Sequence, residues 1–422
     1  MISILGADAR SLTREQKWDL LGPHIQQNGR EALSYATLQE GMEYFIADAG
    51  YIAFTTAVHR VFAPKPKRIV LADPVCDEDR LPELVDAFLG AHPRAVFAMA
   101  SERCAALLRT RGFRANCVGY EPELPVQVYN TKGNWKELDM IKRARNEARR
   151  NQISIREVEI ETISQADLKE VSRQWMDGKK VSDREIWVYA RRPVYQRENG
   201  VRKFLAFDKD DLPVGYVFYD PMYRQGRVYG YSANTVRCDE QNYSRLATAI
   251  HMQAMDVFRE EGVETLNLCL CPFTNIEEGC FSDDAATRLF FKISRRYGGE
   301  IYNFDGLSFH KSKYRGTKRL LYYASNSAIP ANDIYLAFLT SDIATSYWST
   351  MAKLGLGIAK GLFASGARRR RGVPRIAGLE RESTRRRSET CRLAPPRPHS
   401  LRWLGRQGQL NSRRVEPHEC RR

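Results

Sequence analysis

The spacing of apolar residues along the first third of the chain predicts short strands that alternate with helices. Apolar runs bounded by turn residues are typical of strands, and apolar residues three or four positions apart are typical of helices. The predicted strands are 42–47, 51–56, 68–74 and 95–100, and the predicted helices are 12–33, 81–89 and 102–111. Alternating elements of this length indicate an α/β domain.

A second series of alternating elements follows residue 123. Its predicted strands are 124–129, 203–207, 214–220, 227–233 and 265–270, and its predicted helices are 135–151, 168–176 and 243–261. The order strand, strand, helix, strand is the order of an N-acetyltransferase-like (GNAT-like) fold. We therefore predict an α/β fold of tandem GNAT-like lobes, with mixed sheets flanked by helices.

The pattern divides the chain into five parts. These are a helical lead-in at 1–33, a first, degenerate lobe at 34–123, a second lobe at 124–330, an amphipathic helix at 331–366 and a disordered arginine-rich tail at 367–422. The apolar stripe predicted for 331–366 is suited either to the interface of a bilayer or to packing against the protein body.

The charge of the chain is concentrated at its end. Residues 368–422 hold 17 Arg, 5 Glu and no Lys, which accounts for +12 of the formal charge of +15. Low hydrophobicity with high charge predicts disorder. Such a tail could bind RNA phosphates or acidic lipid headgroups, and its lack of Lys is equally consistent with a non-homologous extension.

Cysteine usage and hydropathy point to a cytoplasmic protein. The nine cysteines lack the paired spacing of a zinc site, so we expect no metal and reduced thiols. Residues 1–10 do not have the pattern of a secretory signal, and no apolar run reaches the length that crosses a bilayer.

A cluster of cations stands out near the end of the second lobe. Five cations fall within nine residues and are interleaved with aromatic side chains: Lys311, Lys313, Arg315, Lys318 and Arg319. A carboxylate or phosphate is the expected partner, although a solvated strand edge would look the same. We predict that 302–325 is a closing strand and turn, which places Lys311 and Lys313 together on one face.

Several motifs occur in order over residues 30–326. They are Phe45 to Phe54, Ala72-Asp73-Pro74-Val75, the basic helix 138–150, 170–175, 260–262 leading into 266–268, Pro272, and Tyr302-Asn303-Phe304-Asp305-Gly306-Leu307 with Lys311, Lys313 and Tyr314. Together they resemble the C-terminal catalytic domain of phosphatidylglycerol lysyltransferases and alanyltransferases, the multiple peptide resistance factor family.

The resemblance implies an aminoacyltransferase with its active site in the second lobe. Such enzymes move an amino acid from aminoacyl-tRNA to the hydroxyl of a membrane lipid such as phosphatidylglycerol. The implied partners are aminoacyl-tRNA, as co-substrate without a further cofactor, and an anionic lipid at the inner face of the cell membrane. Because the aminoacyl ester is already activated, the protein must align the hydroxyl, accept its proton and stabilise the oxyanion.

The resemblance also suggests catalytic residues. Arg237, Lys311 and Lys313 match family cations that could meet a phosphate, the tRNA end or the oxyanion. Asn267 could donate a hydrogen bond into the cleft or serve buried neighbours. His310 is a candidate base because imidazole titrates near neutrality, although the family does not typically have a histidine there.

Further residues are candidates for substrate binding. They are Tyr231, Tyr302, Asn303 and Arg315, with Lys142, Arg145 and Arg149 of the basic helix, whose cations could instead be simply solvated.

Two features depart from the family pattern. The stretch 242–248 lacks the carboxylate that the family uses for the amine of the amino acid, although Asp239 and Glu240 precede it. We also expect the family's N-terminal membrane portion to be absent. An alternative is an acyl-CoA-dependent N-acyltransferase, but 241–247 lacks the glycines that give a pyrophosphate access to the backbone. A non-catalytic module that binds tRNA or acidic lipid is a further alternative.

Overall fold

The computed structural model describes residues 3–60, 63–130, 139–177, 187–300 and 303–343, with 352, 355 and 356. Its helices are α1 Arg14–Asn28, α2 Leu81–Ala91, α3 Glu102–Thr110, α4 Asp139–Arg150, α5 Gln165–Asp177, α6 Leu246–Glu260, α7 Ala285–Tyr297, α8 Phe304–Ser312 and α9 Pro330–Thr340. Its strands are β1 Ser3–Leu5, β2 Glu43–Ala47, β3 Gly50–His59, β4 Ala63–Leu71, β5 Val75–Cys76, β6 Ala95–Ala100, β7 Arg114–Pro125, β8 Ser154–Glu157, β9 Arg202–Phe207, β10 Pro213–Arg224, β11 Arg227–Cys238, β12 Thr265–Asn267, β13 Cys271–Pro272 and β14 Thr317–Ser325. The predicted tail at 367–422 lies outside the described residues.

One mixed sheet runs through the described residues in the order β1-β2-β3-β4-β6-β14-β7-β12-β11-β10-β9-β8. Two strand pairs in it are parallel, β4 with β6 and β11 with β12. Each pair is joined through a helix, α2 in the first half and α6 in the second, as parallel strands require. The repeated strand–helix–strand unit confirms the predicted α/β fold of two lobes with a mixed sheet.

Two strands join the lobes in a way that the sequence analysis did not predict. The predicted boundary between 123 and 124 falls inside β7, so the strand predicted at 124–129 is the end of a longer one. The closing strand β14 pairs with β6 on one side and β7 on the other, and so returns to the first lobe instead of completing the second. Local sequence cannot reveal this pairing, because β14 meets partners roughly two hundred residues away.

Hydrophobic packing makes the lobes one continuous body. The first lobe has a core around Phe54, Phe88 and Phe97, and the second has a core around Phe204 and Phe258. A third cluster lies under α1 and contains side chains from β2, β3, β10 and β14. The sheet and this shared cluster fix the position of one lobe relative to the other.

The segment 331–366 was predicted as one amphipathic helix, but its described part contains a shorter helix that ends before residue 343. Helix α9 ends at Thr340, and Asp342 has a φ of +58° that ends a helix. Ile334 and Leu336 are buried against the protein body, which is the second of the two alternatives for this face. Most of the segment beyond residue 343 lies outside the described residues. No helix within the described ranges has both the length and the apolar content needed to cross a bilayer.

A buried ion pair fastens α9 to the sheet. Lys67 of β4 pairs with Asp333, whose second oxygen accepts a hydrogen bond of 2.6 Å from Ser325. Both charged side chains are buried. Removing one charge leaves the other without compensation, whereas replacing both with apolar groups does not.

We expect Asp333→Ala to lower the free energy of unfolding by about 3 kcal/mol, because Lys67 is left as a buried charge. The double variant Lys67→Met/Asp333→Leu should recover most of that loss. The measurement is urea unfolding at constant pH. Asp210→Ala is the control, since its exposed pair with Lys209 is screened by solvent and should contribute little to stability. An equal, small effect of Asp333→Ala would show that α9 is not fastened in this way.

Candidate functional site

The site begins where two parallel strands separate. β11 and β12 pair over three positions, from Gly230 with Thr265 to Ser232 with Asn267. β11 then continues to Cys238. The segment that follows β12 instead turns at Cys269, whose φ is +60°, and enters β13, which pairs with β7. The divergence opens a V-shaped cleft at the carboxyl ends of the strands, where ligands of open α/β sheets usually bind.

A cavity of about 330 Å³ fills this cleft and extends between the lobes. Its walls are largely apolar and come from both lobes and from α7, α8 and α9: Met99, Val118, Leu268, Phe291, Phe304, Leu307 and Phe338 are among them. Polar side chains also line it, namely Arg237, Glu240, His251, His310 and Lys311. The cavity thus combines an apolar chamber with a small set of cations, a carboxylate and imidazoles, as small-molecule sites do.

The prediction that Lys311 and Lys313 lie together on one face of a strand is wrong. The segment is a helix, and the Lys311 ammonium donates to the carbonyls of Cys269 and Leu270, each at 3.1 Å, in the cavity wall. Lys313 follows the helix and is exposed, with its ammonium 4.0 Å from the centre of the Phe309 ring. The two lysines therefore point to different surroundings and do not act as a pair.

The signal for this helix was present in the sequence. Asn303 caps α8, and its side chain accepts a hydrogen bond of 3.0 Å from the Gly306 amide. Asn at the N-cap followed by an acidic first turn is a typical helix start. Tyr302, another predicted site residue, lies outside the described residues, and Asn303 has a structural role.

Arg237, a predicted site residue, lines the cavity, and so does the nearby carboxylate of Glu240. Its guanidinium carbon is 3.9 Å from the centre of the Trp175 ring, and one nitrogen donates to the Val236 carbonyl at 2.9 Å. Stacking on an aromatic ring fixes the plane of a guanidinium and suits it to a phosphate or carboxylate. Glu240 follows three positions later and lines the same cavity, although it was not among the predicted site residues.

Two histidines reach the cavity, and their surroundings differ. His251 on α6 is buried, with Nδ1 2.9 Å from the Tyr219 hydroxyl. Burial, with smaller contributions from the neighbouring His310 and Lys311, lowers the pKa of His251 to about 3. His251 is therefore neutral at ordinary pH, and the sequence analysis did not identify it.

His310 is half-buried and belongs to a short hydrogen-bonded chain. Its Nε2 is 3.3 Å from the Tyr314 hydroxyl, which donates to Thr248 at 2.8 Å. With the Tyr314 proton directed to Thr248, Nε2 is the donor to Tyr314 and Nδ1 holds the lone pair of the imidazole. This tautomer has the form that a proton acceptor requires.

Two predicted site residues lie in the protein interior instead of the cavity. Asn267 is fully buried and donates to Glu121 at 3.0 Å, so it serves its neighbours. Tyr231 is stacked on Phe258, with ring centres 4.5 Å apart, and belongs to the core of the second lobe. Side-chain direction along β11 and β12 decides these placements, and the sequence pattern alone does not fix it.

The remaining predicted binding residues lie outside the cavity. Helix α4 packs on α6 through Ile141 and Ala144, and Arg145 pairs with Asp256 at 2.7 Å. Lys142 is half-buried, whereas Arg149 and Arg315 are exposed. Contacts of these cations with RNA or lipid stay predictions. The described part of the chain contains no group of three or more side chains suited to hold a metal ion.

Residues 24–325 match the family described as phosphatidylglycerol lysyltransferase, C-terminal. Among solved structures, the chain is similar to L-PGS from Bacillus licheniformis, with a TM-score of 0.62 and 19% identity over 78% of this chain and 97% of that one. It is also similar to the C-terminal domain (DUF2156) of a putative lysylphosphatidylglycerol synthetase from Agrobacterium fabrum, with a TM-score of 0.62 and 18% identity over 78% and 97% of the two chains. A search of curated proteins found no match.

The family match extends over more than half of the chain, and the two solved structures share its fold. The resemblance noted in the sequence is thereby confirmed. The chain belongs to the family of the phosphatidylglycerol lysyltransferase C-terminal domain.

Proposed function

We propose that this protein transfers an amino acid from aminoacyl-tRNA to the hydroxyl of a membrane lipid such as phosphatidylglycerol, on the cytoplasmic side of the membrane. The observation that carries the proposal is the apolar cavity with Arg237, Glu240, His310 and Lys311 in its wall. Membership of a lysyltransferase family supports group transfer. The donor and the acceptor are those that the family resemblance implies, and the chemistry of these residues suits them.

The shape of the cavity suits an amphipathic acceptor. Apolar walls from both lobes can surround the hydrocarbon next to a lipid headgroup, and excluding water strengthens the electrostatic interactions of the polar groups. Arg237, whose guanidinium stacks on the Trp175 ring, would bind the lipid phosphodiester in a bidentate manner. The headgroup hydroxyl would then lie among the remaining polar side chains.

The transfer step needs one base and one oxyanion donor. The lipid hydroxyl oxygen attacks the ester carbonyl carbon, and His310 accepts the hydroxyl proton. As the carbon–oxygen bond to the tRNA ribose breaks, the proton passes to that leaving oxygen. The Lys311 ammonium stabilises the negative carbonyl oxygen, because two carbonyls already fix its position and little reorganisation is needed.

Glu240 can replace the carboxylate that the stretch 242–248 lacks. The helix that follows lacks the carboxylate expected to bind the amine of the amino acid, but Glu240 lines the cavity just ahead of it. An ammonium is the natural partner of such a carboxylate. We therefore assign Glu240 to the amine of the donor amino acid.

The start of α6 argues against the acyl-CoA alternative. No side chain caps this helix, and Arg245 at its N-cap pairs with Glu147 at 2.5 Å. A carboxylate beside the first turn opposes the approach of a pyrophosphate to a helix N-terminus. An acyl-CoA would also lack the glycine-rich backbone it needs there.

The proposal is tested with purified protein, labelled aminoacyl-tRNA and phosphatidylglycerol vesicles. The expected result is a labelled lipid that forms only when aminoacyl-tRNA is present and that mild alkali hydrolyses as an ester. If no aminoacyl lipid forms with any aminoacyl-tRNA, while labelled acetyl-CoA acylates an amine, the proposal is wrong.

In this assay, Lys311→Met should lower kcat about 100-fold with little change in KM, as expected when an oxyanion donor is removed. Lys313→Met is the matched control, because this lysine is exposed and outside the cavity, and it should keep kcat within about threefold of wild type. Equal losses in the two variants would contradict the separation of the lysines.

Glu240→Gln should raise KM for aminoacyl-tRNA about tenfold, because a charge-assisted hydrogen bond to the ammonium is lost. The wild-type protein should use N-acetylated aminoacyl-tRNA poorly, and the variant should discriminate less between the two donors. Glu260→Gln, an exposed change at the end of α6, is the control. Unchanged discrimination in Glu240→Gln would exclude Glu240 from amine binding.

His251 predicts a pH dependence of stability. Its pKa is about 3 in the folded protein and ordinarily 6.5, so below pH 6.5 the unfolded chain binds a proton that the folded chain does not. The free energy of unfolding contributed by His251 should therefore decrease from pH 6.5 towards pH 3, by up to about 1.4 kcal/mol per pH unit. The measurement is urea unfolding of wild type and His251→Gln between pH 5 and pH 8. A constant difference between them would show that His251 titrates normally.

A further inference from the structure

Cys269 stands at the vertex of the V-shaped cleft in an unfavourable backbone conformation. Its φ of +60° is left-handed, which side chains other than glycine, Asn and Asp seldom adopt. Such a conformation persists only where the surroundings hold it in place. Cys269 is also one of the two residues whose carbonyls accept the Lys311 ammonium.

An asparagine on one arm of the V holds the backbone of Cys269. Asn267 is fully buried, and its Oδ1 accepts a hydrogen bond of 2.7 Å from the Cys269 amide. Its Nδ2 donates to Glu121 at 3.0 Å and to Glu123 at 3.3 Å. The carboxylates fix the amide flip, because only the nitrogen of Asn267 can donate to them.

A second asparagine on the other arm holds the side chain. The Cys269 thiol lies 3.7 Å from Oδ1 of Asn234, whose Nδ2 donates to Asp220 at 2.9 Å. Burial raises the pKa of Cys269, so the sulfur stays protonated and acts as the donor. Asp220 is itself fully buried and pairs with Arg191 at 3.4 Å.

These contacts form a brace that ends at the Lys311 ammonium. Its two arms each consist of an asparagine and a buried carboxylate, Asn267 with Glu121 and Asn234 with Asp220. With Cys269 fixed, its carbonyl and that of Leu270 both point to Nζ of Lys311 at 3.1 Å. Rotation of the Cys269 peptide would remove at least one of these acceptors.

We propose that Asn267 and Asn234 are positioning residues, which hold Cys269 in its left-handed conformation so that the carbonyls of Cys269 and Leu270 fix the Lys311 ammonium in the cavity wall. The consequence for catalysis rests on the proposed function, since it requires Lys311 to act in transfer. The positioning itself does not, and can be measured without any substrate.

The direct test is the reactivity of Lys311 towards methyl acetimidate. Cleavage of the chain before each aspartate yields one peptide, 305–332, that contains both Lys311 and Lys313. Mass spectrometry of this peptide gives the labelling ratio of the two lysines, with Lys313 as the internal reference. In Asn267→Ala, labelling of Lys311 relative to Lys313 should rise about fivefold, as expected when hydrogen bonds that hold an amine are weakened. An unchanged ratio overturns the proposal.

Asn116→Ala is the matched control. Asn116 is also buried and bonded in a loop contact, to Asp284, but it does not line the cavity. Its replacement should destabilise the fold to a similar degree and leave the labelling ratio of Lys311 unchanged. If both variants raise the ratio equally, loss of stability and not positioning is responsible, and the proposal fails.

Asn267→Asp serves where Asn267→Ala does not fold. An aspartate keeps an acceptor for the Cys269 amide but faces Glu121, whose pKa burial raises to about 7, with Glu123, Glu31 and Arg319 also facing that group. At pH 6 a protonated Glu121 can donate to the new carboxylate, so labelling and kcat should approach wild type. The new carboxylate raises the pKa of Glu121 further, so both groups are charged only at higher pH. As the pH is raised to that point, kcat relative to wild type should fall about tenfold with KM unchanged.

A pH-independent Asn267→Asp variant with wild-type labelling would contradict the brace. If wild-type protein forms no aminoacyl lipid but the labelling ratios behave as described, the proposed function is wrong and the positioning stands. If transfer occurs and Lys311 labelling is insensitive to both Asn267 variants, the function stands and the positioning is wrong.

Discussion

The separation of β11 from β12 is the constraint on which the rest of the structure depends. The strands pair for only three positions and then part, so the sheet cannot close and a cavity remains between them. Strand β14 reinforces the opening, because it inserts between β6 and β7 and brings α8 and α9 to the open side. The cavity therefore belongs to neither lobe alone.

Buried charged side chains surround the point where β11 and β12 separate. Arg191, Asp220, Glu121 and the partly buried Arg319 lie around the point where the strands part. Burial raises the pKa of Asp220 to about 6 and that of Glu121 to about 7, which means that the ionised forms are disfavoured at these positions. The carboxylates of Glu121 and Asp220 accept hydrogen bonds from Asn267 and Asn234, which apolar side chains in their place could not do.

The sequence analysis predicted the larger features and failed at contacts between distant segments. Hydrophobic spacing predicted helices such as α2 and strands such as β6 correctly, because these elements bury a regular face against one core. It could not place β14, since its partners are far away in sequence. The segment 302–325 was predicted as a closing strand and turn, but only its last part is the strand β14, and the capping role of Asn303 at the start of α8 was overlooked.

The same distinction applies to the candidate site. Arg237 and Lys311, which the family resemblance suggested, and His310, which was suggested by its imidazole chemistry, do line the cavity. Lys313, Asn267 and Tyr231 do not. A cation's chemistry can be identified from its type, but its direction depends on the element that carries it. The sequence showed Glu240 only as an acidic residue ahead of a predicted helix and gave no signal for His251, because both line the cavity only where β11 and β12 part in front of them.

The proposed function requires that a membrane lipid occupies the cavity between the lobes. The most direct measurement is photo-crosslinking with phosphatidylglycerol that carries a diazirine in its acyl chain, in vesicles, followed by peptide mapping. The account predicts adducts on cavity residues of both lobes, such as Met99, Leu268 and Phe338. Adducts confined to the outer surface, with none at these residues, would contradict it.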